Sequence, residues 1–106
     1  LLAAAAMPGE AIAGYERELP THLAVAAAVA AGSADVGLGV AAAARALQLD
    51  FIPLASERYD LILPEESLDA PWFGPLIETL AAPRFRAAVE ALGGYDATYT
   101  AWIRTA

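Results

Sequence analysis

Thr21-His22-Leu23-Ala24-Val25-Ala26-Ala27-Ala28-Val29-Ala30-Ala31-Gly32-Ser33-Ala34-Asp35-Val36-Gly37-Leu38-Gly39-Val40 is the stretch that decides how the rest of the chain is read. Pro20 pushes the residue before it out of the helical region, and the Thr21 side chain can accept from the amides two and three residues on. A helix is therefore predicted from about His22 to Ala31. Leu23, Val25, Ala26, Val29 and Ala30 leave it almost no polar face, as in a helix buried between a sheet and another layer, and Gly32 supplies a left-handed stop. Ala34 to Val40 then has the length, the β-branched residues and the glycines of a buried parallel strand with close backbone approach.

Working outward, Leu1 to Met7 has helix-forming composition and is stopped by Pro8-Gly9. It reads as the tail of a helix that starts upstream, and the chain as a fragment or processed product. Ala11 to Glu18, with Ile12 and Tyr15, fits a brief strand whose end carries Glu16, Arg17 and Glu18. Downstream, Ala41 to Leu47 forms a short helix. Phe51-Ile52-Pro53-Leu54 and Arg58-Tyr59-Asp60-Leu61-Ile62-Leu63 read as strands, Pro53 implying an edge or terminal position. Two helices follow, from Pro71 or Trp72 to about Ala82 and from Pro83 to Leu92, the second ended by Gly93-Gly94. The order of elements argues for an α/β fold, a mainly parallel sheet flanked by helices.

At 106 residues the chain holds one domain at most, and much of its 58% apolar content is alanine, which buries little area per residue. Its net charge of −7, with no lysine and six scattered arginines, argues against a nucleic-acid partner. The absence of cysteine excludes disulfides, thiolate zinc sites and cysteine nucleophiles. With His22 as the only histidine, a conventional zinc site cannot be built and metal binding would rest on one His and carboxylates; no metal site is assigned and no cofactor is expected. The longest apolar run in the body, Leu23 to Ala31, is about half of what a bilayer span needs, and Leu1 to Met7 lacks the features of a signal peptide. A cytoplasmic protein without membrane contact is expected.

Thr21 and His22 form the most interesting constellation, because amides at a helix N-terminus present partial positive charge and can hold an oxyanion; the alternative is a simple cap. Gly37 and Gly39 either let a ligand approach the backbone at the end of a strand or only let a helix pack tightly; the third glycine of a dinucleotide fingerprint is missing. Glu65, Glu66 and Asp69 read as a solvated loop before a helix, where negative charge suits the dipole. Ser33, Ser56 and Ser67 lack a nucleophile-elbow context, so no triad can be assembled and no catalytic residue is assigned. Tyr95, Tyr99 and Trp102 form either a partner-binding stripe or a surface that docks on a further lobe.

Gly14-Tyr15-Glu16-Arg17-Glu18, then Thr21 to Gly32, then Ala34-Asp35-Val36-Gly37-Leu38-Gly39 resemble type 2 periplasmic-binding-protein-like domains, of the group joined to molybdate-type helix-turn-helix regulators or MoeA-like molybdopterin-biosynthesis proteins. Ala43-Ala44-Arg45-Ala46-Leu47, Leu49-Asp50-Phe51-Ile52-Pro53-Leu54, Glu57-Arg58-Tyr59-Asp60-Leu61 and Leu92-Gly93-Gly94-Tyr95-Asp96 continue the resemblance in order. It implies one partial domain over residues 1–106, with a second lobe over about 1–55 and a return strand and C-terminal helices over about 56–106. It also implies a non-enzymatic module, similar to LysR-type substrate-binding domains, that closes on a small anionic ligand. Molybdate, tungstate or a molybdenum-cofactor-related compound is the expected ligand, with Thr21, His22, Gly37 and Gly39 as its contacts. The competing readings are an interaction or oligomerisation module without a ligand, possible as a homodimer, and an accessory domain of a molybdenum-cofactor biosynthetic enzyme.

Overall fold

A computed structural model describes residues 6–104 of the chain. It divides into two compact units, Leu1–Asp50 and Phe51–Ala106.

In the first unit, Pro8 leads into a single 3-10 turn, Gly9–Ala11. The chain then curls through i→i+3 bonds from the Tyr15 amide to the Ile12 carbonyl and from the Arg17 amide to the Gly14 carbonyl, with Gly14 at φ +80°. Helix α1, His22–Ala30, begins where Thr21 sits extended at φ −139°, ψ 156° and its hydroxyl oxygen accepts from the Ala24 amide at 3.0 Å. It ends as the sequence predicts. Gly32 adopts φ +77°, and the amides of Ser33 and Ala34 both donate to the Ala28 carbonyl. Residues 34–40 carry no regular backbone pairing and lead into α2, Ala41–Ala46. The two helices pack on alanine: Ala26 of α1 and Ala43 and Ala44 of α2 are the buried residues among those described in this unit. Side chains this small allow close backbone approach but supply little apolar area.

In the second unit, residues 51–64 likewise run without strand or helix, and a 3-10 segment, Glu65–Asp69, precedes α3, Phe73–Ala81. Ala82 alone, extended at φ −64° and ψ 133°, separates α3 from α4, Pro83–Ala91. Proline suits that first helical position, where its missing amide would be unpaired in any case. Phe73, Leu76, Ile77 and Leu80, spaced as one helical stripe, are the half-buried residues of α3. Gly93 and Gly94, at φ +86° and +80°, stop α4 and turn the chain back, so that the Arg86 guanidinium donates to the Thr100 carbonyl at 3.0 Å and Ala97 becomes buried.

The expected α/β architecture is corrected by this arrangement: among the described residues there is no strand, and hence no parallel sheet. Ala11 to Glu18, read as the first strand, is a succession of turns, so α1 has no preceding strand to cross over from. Ala34 to Val40 lies against α1 instead of against another strand: a Cβ placed on Gly37 would collide with Val25 Cγ1. Phe51 to Leu54 and Arg58 to Leu63 are not joined by a two-residue hairpin turn, and Pro53 removes a donor in the first of them. Alternation and β-branching describe a segment that favours extension, but a strand also needs a second one about 4.8 Å alongside. The helix expected over Leu1 to Met7 falls, for residues 1–5, outside the described residues.

Candidate ligand-binding site

The four residues singled out in the sequence all lie in the first unit, and three of them gather at one end of α1. Thr21 is the N-cap, and the Thr21 carbonyl accepts the first intrahelical bond, from the Val25 amide at 3.1 Å. Its hydroxyl oxygen is occupied as an acceptor by the Ala24 amide, which leaves the hydroxyl hydrogen available as a donor. The amides of His22 and Leu23 are among the four that a helix start cannot bond internally. Among the described residues they have no hydrogen-bond partner. No acidic residue stands in the first turn of α1, so the positive end of the helix dipole is not compensated locally.

The segment after α1 runs back along it. Gly37 faces Val25, with a Cβ at that position 3.7 Å from Val29 Cγ2, while a Cβ on Gly39 would stand 3.9 Å from His22 Nδ1 and 4.0 Å from the His22 carbonyl oxygen. Neither glycine has a positive φ. What their missing side chains provide is space. At Gly37 that space is filled by α1 itself, which makes it a packing residue. At Gly39 it lies beside the His22 ring, next to the helix start. Thr21, His22 and Gly39 are thus neighbours, and Gly37 belongs to the packing that holds them so.

Arg17, the basic residue nearest to this end in sequence, is drawn to the opposite end of the helix, where its guanidinium donates to the Ser33 carbonyl at 2.9 Å. Positive charge there favours the C-terminal dipole and holds the chain before α1 against the chain after it. Ser33 reinforces the same end by donating its hydroxyl to the Ala28 carbonyl at 3.1 Å.

A second concavity lies within the other unit, and the sequence reading did not single it out as a site. It is a groove of about 850 Å³ lined by residues 58–65, by the apolar stripe of α3 and by residues 99–104. Tyr99 and Trp102 stand edge to face in it, ring centroids 4.8 Å apart. Its signals, the alternation of Arg58 to Leu63 and the helical spacing of Phe73, Leu76, Ile77 and Leu80, were each visible in the sequence, but nothing there places them together. Among the described residues no cluster of three or more potential metal ligands occurs, and no helix is long and apolar enough to cross a membrane.

Comparison with known families matches residues 1–81 to the PBP superfamily domain. An uncharacterized protein encoded in the 5′ region of the ferredoxin 2Fe-2S gene of Clostridium pasteurianum is 41% identical over 95 residues, covering 89% of this chain and 84% of that protein. The uncharacterized protein YvgK of Bacillus subtilis (strain 168) is 34% identical over 92 residues, 84% of this chain but only 28% of its own length. No solved structure gives a significant match.

Proposed function

Because the chain belongs to the PBP superfamily domain family, whose members generally bind ligands and do not catalyse reactions, we propose that it takes up a small oxyanion at the start of α1. The Thr21 hydroxyl, the amides of His22 and Leu23 and the His22 ring supply the donors, and the glycine backbone at Gly39 leaves room beside them. The observation that carries this reading is the meeting of Gly39 with His22 at a helix start whose first two amides have no hydrogen-bond partner among the described residues. Molybdate or tungstate, tetrahedral oxyanions that accept several hydrogen bonds at once, suit such a donor set, as does an anionic molybdenum-cofactor-related compound. The module then serves as the ligand-sensing part of a transcriptional regulator or of a molybdopterin-biosynthesis-linked protein, in which preference of the ligand for one conformation supplies the signal.

The test is thermal melting of the chain against molybdate, tungstate, sulfate and phosphate. Binding to the folded form alone gives a concentration-dependent rise of about 2.7 kcal/mol at a hundredfold excess over Kd. Gly39→Ala, which meets only ordinary contacts in the protein, is expected to reduce that rise by intruding on the ligand, and Thr21→Val to reduce it by removing the hydroxyl donor, each measured against its own ligand-free baseline. A rise unaffected by both substitutions would move the site elsewhere. No rise with any of the four anions would refute the oxyanion reading.

A further inference from the structure

We propose that a second copy of this chain docks on the second unit by antiparallel pairing of the segment Arg58-Tyr59-Asp60-Leu61-Ile62-Leu63 with itself, about a twofold axis through Leu61. The segment has the means to pair, and among the described residues none of the backbone amides or carbonyls of 58–63 takes part in a backbone–backbone hydrogen bond. Its side chains are unusually open for their kind, with Ile62 at 92%, Tyr59 at 72% and Leu61 at 69% exposure. An open, apolar, unpaired edge is the feature on which another chain adds a strand.

The residue pattern makes a second copy of the same segment a suitable partner and discriminates between registers. A twofold axis that exchanges two antiparallel strands stands perpendicular to the sheet and keeps each residue on its own face, so the pairing must be centred on a residue. Centring on Leu61 sets Leu61 against itself and Tyr59 against Leu63 twice, which makes one face of the ribbon wholly apolar. Centring on Asp60 would instead set two carboxylates face to face, which is repulsive. The other face needs no charge from the partner, because Arg58 Nε and Asp60 Oδ1 are already paired at 3.1 Å within each copy. The segment is therefore locally neutral in a chain of net charge −7.

The available apolar area suits a weak dimer. Taking roughly 200 Å² for an aromatic side chain, the exposed parts of Tyr59, Tyr99 and Trp102 amount to about 400 Å². Leu61 and Leu63, on the same face as Tyr59, add about 100 Å² more, at roughly 100 Å² for each full side chain. The total, about 500 Å², falls short of a standard interface, which buries about 800 Å² per partner. The dimer is accordingly concentration-dependent.

Sedimentation equilibrium and light scattering of the intact chain test this. A rise from 11.0 kDa towards twice that mass with concentration is expected. Added salt should strengthen it, because salt screens the repulsion between two acidic chains and leaves apolar pairing intact. Leu61→Asp, which sets two carboxylates across the axis at a position exposed in the single copy, should return the protein to monomer. Leu61→Cys gives a cysteine-free chain one thiol, and an opposed pair at about 4.5–5.5 Å between Cα atoms is within disulfide reach, so oxidation should cross-link Leu61→Cys but not Leu54→Cys. A monomer at every concentration and salt overturns the proposal. So does a dimer that dissolves in salt, one that survives Leu61→Asp, or equal cross-linking of the two cysteine variants.

Discussion

Replacing Gly37 and Gly39 separately by alanine asks whether the returning segment lies where the structure puts it. A Cβ on Gly37 collides with Val25 Cγ1 and comes within 3.7 Å of Val29 Cγ2. Both valines belong to α1, where β-branched side chains hold one χ1 rotamer and cannot easily swing aside, so either the helix or the segment must move. Overpacking of this kind costs about 1–3 kcal/mol, offset by the 0.4–1 kcal/mol that a Gly→Ala change contributes through a less flexible unfolded chain. Gly37→Ala should thus destabilise by about 1–2 kcal/mol. At about 4–8 °C per kcal/mol for a domain near this size, the drop is readily measured in a thermal melt followed by far-UV circular dichroism. Gly39→Ala meets only ordinary contacts, at 3.9 and 4.0 Å, and keeps the unfolded-state gain, so it should be neutral or slightly stabilising.

A double-mutant cycle isolates the cause. Val25→Ala removes the colliding methyl, and in its presence Gly37→Ala should lose most of its cost, giving a coupling of about 1 kcal/mol or more. Equal stability of Gly37→Ala and Gly39→Ala, or a cycle that is simply additive, would refute the close passage of this segment along α1 and with it the placement of Gly39 beside His22.

Other measurements address separate contacts. Thr21→Val should cost about 1 kcal/mol by removing the cap on the Ala24 amide, seen as a lower melting midpoint, whereas Thr21→Asp should restore it because aspartate caps as well as threonine. Asp96 accepts from both the amide and the hydroxyl of Thr98, and these bonds hold its carboxyl below the ordinary aspartate value. With the folded pKa depressed, the stability this group contributes is present above the unfolded value of about 3.9 and is lost as pH falls through the folded one. Asp96→Asn should therefore lower the neutral plateau of a pH–stability profile and flatten its acid limb, leaving stability at the acid extreme, where the carboxyl is protonated in any case, unchanged. Gly32→Ala places a Cβ in the left-handed region at φ +77° and should lower stability by about 1 kcal/mol, read from chemical denaturation.

Helices were legible in the sequence because their ends are written in single residues. Thr21 before His22, Gly32 after Ala31, Pro83 at the start of α4 and Gly93-Gly94 at its end each fix a local backbone choice that no distant contact needs to confirm. Strands were not, because extension is local while pairing is not. Val36, Leu38, Tyr59 and Leu61 have the residue types of a buried sheet, yet all are exposed. Their pattern records what the segment would do beside a partner, and spacing along one chain carries no information about whether that partner is at hand. At the candidate site, the cap at Thr21 was readable, but the division of labour between the two glycines was not. Only the return of residues 34–40 along α1 sets Gly37 against Val25 and Gly39 against His22.

Oxyanion binding and self-pairing draw on different residues, and loss of one is expected to leave the other intact. Oxyanion binding rests on Thr21, His22 and Gly39 in the unit Leu1–Asp50, and self-pairing on residues 58–63 in the unit Phe51–Ala106. A twofold dimer built on Leu61 brings together two copies of a segment that carries none of the anion donors, so Leu61→Asp should leave the ligand-induced rise in melting temperature intact while abolishing the concentration dependence of mass. Conversely, Gly39→Ala should weaken the anion effect in monomer and dimer alike. Salt separates them again: an anion held by hydrogen bonds at a helix start competes with bulk anions and weakens as chloride rises, whereas apolar pairing of two acidic chains strengthens. If Leu61→Asp removed both effects together, the anion would instead be bound by the dimer, and the donors at the start of α1 would be a helix cap alone.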